Sequence, residues 1–165
     1  MNKRNLFFLI SVWLLSTLLS AQNVTISTPH TQLLLSAPNG GTPEQLYYGS
    51  RTSDADIRSI CETARGRNAY PVYGMGYPCE TTLSVRHADG NLTLQMAVAG
   101  VKETRLTEEN ATLTVIELKD KVYPFFVNIC YKAWQDADVI ETWTEIRHEE
   151  KKPCLLYTSD AADDR

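Results

Sequence analysis

Lys121–Ile146, KVYPFFVNICYKAWQDADVIETWTEI, decides the fold. It reads as two long strands joined by a polar connection at Gln135-Asp136-Ala137-Asp138. Successive side chains of a strand point to opposite faces. One face of the first strand therefore carries Tyr123, Phe125, Val127, Ile129, Tyr131 and Ala133, with no charge among them. The other face mixes Phe126 and Trp134 with Asn128, Cys130 and Lys132. In the second strand Ile140, Thr142, Thr144 and Ile146 alternate with Val139, Glu141, Trp143 and Glu145. A wholly apolar face has to be buried, and in an antiparallel protein the usual cover is a second sheet.

Working outward, the same grammar recurs. Asn23 to Thr28 and Thr31 to Ala37 are short strands broken at Pro29-His30, because proline lacks the N–H a ladder needs. Pro38-Asn39-Gly40-Gly41 is a turn, and a strand begins at Gln45-Leu46-Tyr47-Tyr48 and stops at Gly49. One helix follows. Ser53 is its N-cap, Asp54 and Asp56 occupy the first turn where acids favour the helix dipole, and Gly66 is placed to end it. Ile57, Ile60, Cys61 and Ala64 form a single apolar stripe predicted to face a sheet. Tyr70 to Pro78 holds two prolines and two glycines, which excludes regular structure. Beyond it Leu83 and Val85 alternate with polar residues, Asp89-Gly90 marks a hairpin, and Leu92, Leu94, Met96 and Val98 return. Val101 to Leu106 and Ala111 to Leu118 make the next pair. The fold class is all-β: an antiparallel β-sandwich, supersandwich-like, with one short helix.

The two ends read differently from this middle. Asn2-Lys3-Arg4-Asn5, the apolar run Leu6 to Leu19 and the small residues Ser20-Ala21 have the order of a secretory signal peptide cleaved after Ala21. The chain is thus expected to be exported, periplasmic or extracellular, with no membrane attachment after cleavage. Cys154 to Asp163, back-translated as TGT-CTC-TTA-TAC-ACA-TCT-GAC-GCT-GCC-GAC, resembles the adapter of transposon-based DNA library preparation. Residues 154–165 are therefore expected to be a non-native tail with almost no native contacts, leaving 22–153 as the domain. The net charge is −4, and the basic leader and acidic tail offset each other. Without a basic stripe the domain offers nothing to nucleic acid or to an anionic membrane surface.

The residues carry little chemistry. No Cys or Cys/His spacing suits zinc, and neither metal nor cofactor is implied. Cys61 either pairs with Cys79 in an oxidising compartment or remains a small thiol like Cys130. His30, His87 and His148 are far apart and form no ligand motif. There is no nucleophile elbow, phosphate loop or metalloprotease helix.

The order YYG (Tyr47–Gly49), YPVYG (Tyr70–Gly74), HADGN, then TVIELKDKVYPFFVNICYKAWQDADVIETWTEI resembles the N-terminal domain of glycoside hydrolase family 36 α-galactosidases of the Bacteroides type, over nearly all of residues 22–153. The resemblance implies a β-sandwich packed on a (β/α)8 barrel that holds the two catalytic aspartates of a retaining mechanism. That barrel and, through it, an oligosaccharide substrate are the implied partners, and a homo-oligomer is compatible. It further implies an acidic loop residue near the sugar subsite. Asp54 and Asp56 are the acids in the matching segment, whose length departs from the family's, and helix capping competes for both. On this reading the chain is a truncated, non-catalytic part of an exported α-galactosidase. The alternative is a free-standing secreted carbohydrate-binding or adhesion sandwich, with Trp134, Trp143 or Tyr77 as a sugar-stacking platform. An enzyme in its own right would need a catalytic constellation that these residues do not supply.

Overall fold

In the computed structural model, which describes residues 22–76 and 80–158, ten strands form two four-stranded sheets and a two-stranded ribbon, accompanied by one α-helix and a short 3-10 turn at Thr107–Glu109. The first sheet runs β1 (Asn23–Ser27), β2 (Thr31–Ser36), β3 (Glu44–Ser50) and β4 (Arg67–Asn68). The second runs β6 (Met96–Leu106), β7 (Ala111–Asp120), β8 (Phe125–Trp134) and β9 (Val139–His148), every pair antiparallel. Helix α1 (Asp54–Thr63) connects β3 to β4, and β5 (Leu83–Arg86) pairs with β10 (Leu155–Thr158).

The apolar face of β8 builds the core. Phe125 and Val127 are 0% exposed, and Ile129, Tyr131 and Ala133 are buried with them. Burial pushes the Tyr131 hydroxyl up to about 12. Opposite stand Val24, Ile26, Leu33 and Leu35 of the first sheet, in one cluster with Ile116 and Leu118 of β7. This is the sandwich expected from the alternation.

Tight turns hold the layers in place. Asp120 is buried at the β7–β8 turn, where its carboxylate accepts from the N–H groups of Val122 (2.7 Å), Tyr123 (2.8 Å) and Gln95 (2.5 Å). At the β8–β9 turn, Asp138 adopts φ 53 and reaches across to the β1–β2 turn. It accepts from the Thr28 hydroxyl at 2.5 Å and the His30 N–H at 3.0 Å, so one aspartate ties the two sheets together.

Several expectations need correction. β3 continues through Gly49 to Ser50, because the Tyr47 side chain folds over the glycine and its hydroxyl donates to the Ser50 carbonyl at 2.8 Å. No residue of α1 is buried: Ile57, Ile60 and Cys61 are half-buried and Ala64 is exposed. The helix has its main contact among the strands with β3. It ends at Ala64, which turns extended (φ −71, ψ 141), and Gly66 serves a close approach instead. A Cβ there would sit 2.6 Å from the Glu44 Cβ. Leu92 is 46% exposed, and the strand returning from the hairpin starts only at Met96.

The tail also departs from expectation. Leu155–Thr158 pairs with β5 from Leu155↔Arg86 to Thr158↔Leu83, while Leu155, Leu156 and Tyr157 stay exposed. Backbone pairing asks little of side chains, so an edge ribbon forms without adding them to the core. The leader 1–21, Tyr77, Cys79 and residues 159–165 lie outside the described residues. Among the described residues no helix is long and apolar enough to cross a membrane.

Candidate functional site

Asp54 and Asp56 stand at the exposed start of α1. The Asp56 N–H donates to Ser53 Oγ at 3.3 Å, and the Ser53 hydroxyl donates back to Asp56 Oδ2 at 2.7 Å. Ser53 thus caps the helix, and the Asp56 carboxylate holds the capping hydroxyl itself rather than the Ser53 backbone N–H that a capping box would use. Both are exposed; Asp56 is engaged by the helix cap, whereas Asp54 makes no side-chain hydrogen bond among the described residues.

The densest polar cluster lies elsewhere, and sequence reasoning missed it. The hairpin at Asp89-Gly90 returns close to the chain that leaves β9, bringing His87 against Glu150. His87 is buried, with Nδ1 2.7 Å from Glu150 Oε1, and Glu150 Oε2 accepts from the Ala88 N–H at 3.2 Å. The His87 ring stacks on Tyr123 (centroids 3.7 Å, planes 9° apart) and meets the edge of Phe125 at 6.0 Å. Tyr123 in turn donates to Asp89 Oδ2 at 2.8 Å and accepts from Asn91 Nδ2 at 2.9 Å. The Asn91 N–H, and then the Tyr123 hydroxyl, hold the Asp89 carboxyl below its ordinary range.

Buried His87 Nε2 has no hydrogen-bond partner among the described residues. The neutral tautomer with its proton on Nδ1 fits both ends of the ring. It donates to Glu150 and leaves a bare lone pair at Nε2, whereas an N–H there would be an orphaned donor. His148, Glu150 and Cys154 also converge, with one nitrogen, oxygen and sulfur within 4.8 Å of one another. Both Glu150 oxygens are already bound to His87 and Ala88. The cluster thus buttresses the hairpin against β8.

Among the described residues, the two carboxyl groups with shifted titration are Asp89 in this cluster and Asp138 at the β8–β9 turn. A retaining site needs two carboxyl groups roughly 5 Å apart, one with a raised pKa to act as acid. Asp89 and Asp138 are both pushed down, Asp138 by the Thr28 hydroxyl first and then the His30 N–H. The expected sugar platform fares no better at Trp134, whose ring is covered by Lys132 Nζ at 3.9 Å and whose Nε1 donates to Glu141 at 3.0 Å.

An antiparallel sandwich with polar buttresses at its turns defines an all-β module. The chain belongs to the glycosyl hydrolase family 36 N-terminal domain family, which matches it over residues 41–162. Similar solved structures include the α-galactosidase from Lactobacillus brevis, at TM-score 0.68 and 17% identity over 82% of this chain and 23% of that one. The family 36 α-galactosidase AgaA from Geobacillus stearothermophilus has TM-score 0.70 and 15% identity over 82% and 23%. The galactosidase domain of the α-galactosidase-sucrose kinase AgaSK has TM-score 0.67 and 19% identity over the same shares, 82% and 23%. At these identities the likeness shows the fold, and the chain spans under a quarter of each of those structures. No curated protein matches it.

Proposed function

We propose that this chain is the non-catalytic N-terminal β-sandwich of an exported α-galactosidase, whose hydrolysis of terminal α-galactosides takes place in a (β/α)8 barrel outside the sequence in hand. The observation that carries the reading is the family match over residues 41–162. Three α-galactosidase structures of the same fold, each covered to 23% by this chain, support it. Export rests on the basic start at Lys3-Arg4 and the apolar run that follows. In the parent the sandwich supports the barrel. Asp54, the exposed acid not engaged by the cap, is the one available to a sugar hydroxyl, while Asp56 holds the cap.

The test is an assay of the purified chain on a chromogenic α-galactoside. We expect no turnover above a heat-killed control. Turnover abolished by Asp54→Asn or Asp56→Asn would overturn the proposal, because it would place catalysis inside this domain.

A further inference from the structure

The chain that leaves β9 is held to the Asp89-Gly90 hairpin by one side chain. Of residues 149–153, EEKKP, only Glu150 is not exposed, and its side chain is turned inward to 8% exposure. No buried apolar side chain anchors this stretch. The Glu149 N–H continues the β9 ladder for one residue, donating to the Pro124 carbonyl at 2.9 Å. The Glu149 carboxylate pairs with Arg147 on the surface, where such a pair holds little. Glu150 then reaches back to the hairpin, bonding His87 Nδ1 at 2.7 Å and the Ala88 N–H at 3.2 Å. The receiving side is fixed in advance. The His87 N–H donates to the Asn91 carbonyl at 2.8 Å, and the His87 carbonyl accepts from the Gly90 N–H at 2.9 Å. The His87 side chain is 0% exposed, packed against Tyr123 and Phe125.

We propose that Glu150 and His87 form a latch that fixes the direction in which the chain leaves the sandwich, residues 149–153 being a strap that opens as a local unit when the latch is lost. Each partner depends on the other. Glu150 is the one side-chain partner of His87 among the described residues, and Nε2 has none. Without His87, Glu150 is a carboxylate kept from water with a single N–H to bind. Without Glu150, His87 is a buried ring with both nitrogens unpaired. Segments with few buried contacts open locally while the core stays closed. The strap fits that description, and β8, with Phe125 and Val127 at 0% exposure, does not. The latch also sets where β10 begins, because His87 directly follows β5, whose pairing with β10 starts at Arg86↔Leu155. In the α-galactosidase proposed as the parent, a latched strap presents the chain that follows at one angle to the barrel. That consequence rests on the proposed function; the latch itself is tested apart from it, since amide exchange needs no galactoside.

The test is hydrogen exchange at single amides of the full chain, read by NMR in wild type, Glu150→Ala, His87→Phe and the double variant. The reporter is the Glu149 N–H, which bonds to Pro124 and touches neither altered side chain. The β8 amides of Ile129 and Tyr131 are the control for the core. In each single variant the Glu149 amide should exchange about tenfold faster or more, while the β8 amides keep their wild-type rates. Tryptic cleavage after exposed Lys151 should accelerate in parallel. The double variant should be no faster than either single, because both changes break the same latch. Three results would each overturn the proposal: a Glu149 amide as slow in both singles as in wild type, β8 amides that accelerate as much as Glu149, or single effects that multiply in the double variant.

Discussion

Truncating Phe125 is the sharpest test of the claim that one face of β8 makes the core. Phe125 is 0% exposed, sits in the cluster joining both sheets and touches the His87 ring with its edge. Phe125→Ala removes a fully buried ring and leaves a cavity that rigid neighbouring strands fill poorly, a loss of about 3–5 kcal/mol. Domains of this kind have total stabilities of about 5–15 kcal/mol, so the variant should fold but only marginally. With a urea dependence near 2 kcal/mol per molar, the unfolding midpoint should drop by about 2 M. Trp134 and Trp143, on the strands affected, report the transition by fluorescence. Phe126 is the control, one residue along and on the other face. It is half-buried, with the Arg147 guanidinium 4.1 Å above its ring, and Phe126→Ala should cost only about 1 kcal/mol. Equal losses for the two variants, or a midpoint shift under about 0.5 M for Phe125→Ala, would refute the alternation argument.

Ile60→Ala should cost about 1 kcal/mol by the same method, because Ile60 is only half-buried; a loss near 4 kcal/mol would mean that α1 packs as deeply as its stripe predicts. Asp138 contributes stability above its unfolded pKa of about 3.9 and loses it as the pH falls through its lower folded value, so Asp138→Asn should melt earlier at neutral pH and converge on wild type in acid. Melting curves that stay parallel down to about pH 2.5 would contradict that tie between the sheets. Burial, and secondarily Glu145, push the Cys130 thiol up to about 11, so iodoacetamide at about pH 8 should leave Cys130 unmodified in the folded protein. Peptide mass spectrometry showing its alkylation before unfolding would count against the burial.

What sequence shows here is whatever a period or a local cap can encode. β8 and β9 are legible because their alternation runs unbroken and the connecting turn is polar, and the Ser53 cap because its bonds span three residues. The stripe of α1 misleads for a definite reason: helical period tells which face is apolar but not how much sheet lies beneath it. The His87 cluster leaves no local trace, since its partner Glu150 is 63 residues away and the two meet only through the folded hairpin. Asp138 is similar. A turn aspartate is common for local reasons, and nothing in QDAD announces a bond to Thr28, 110 residues distant. Asp54 and Asp56 are legible as helix-start acids, and the structure adds which of the two is engaged by the cap. The exposed Leu155, Leu156 and Tyr157 of β10 show no buried-exposed alternation, since backbone pairing with β5 needs none.

The measurement closest to the central claim is to read the source gene downstream of the matched domain, residues 41–162. The account predicts an open frame that runs on into a (β/α)8 barrel carrying two catalytic aspartates. A stop codon with no barrel-coding frame before it would contradict the account.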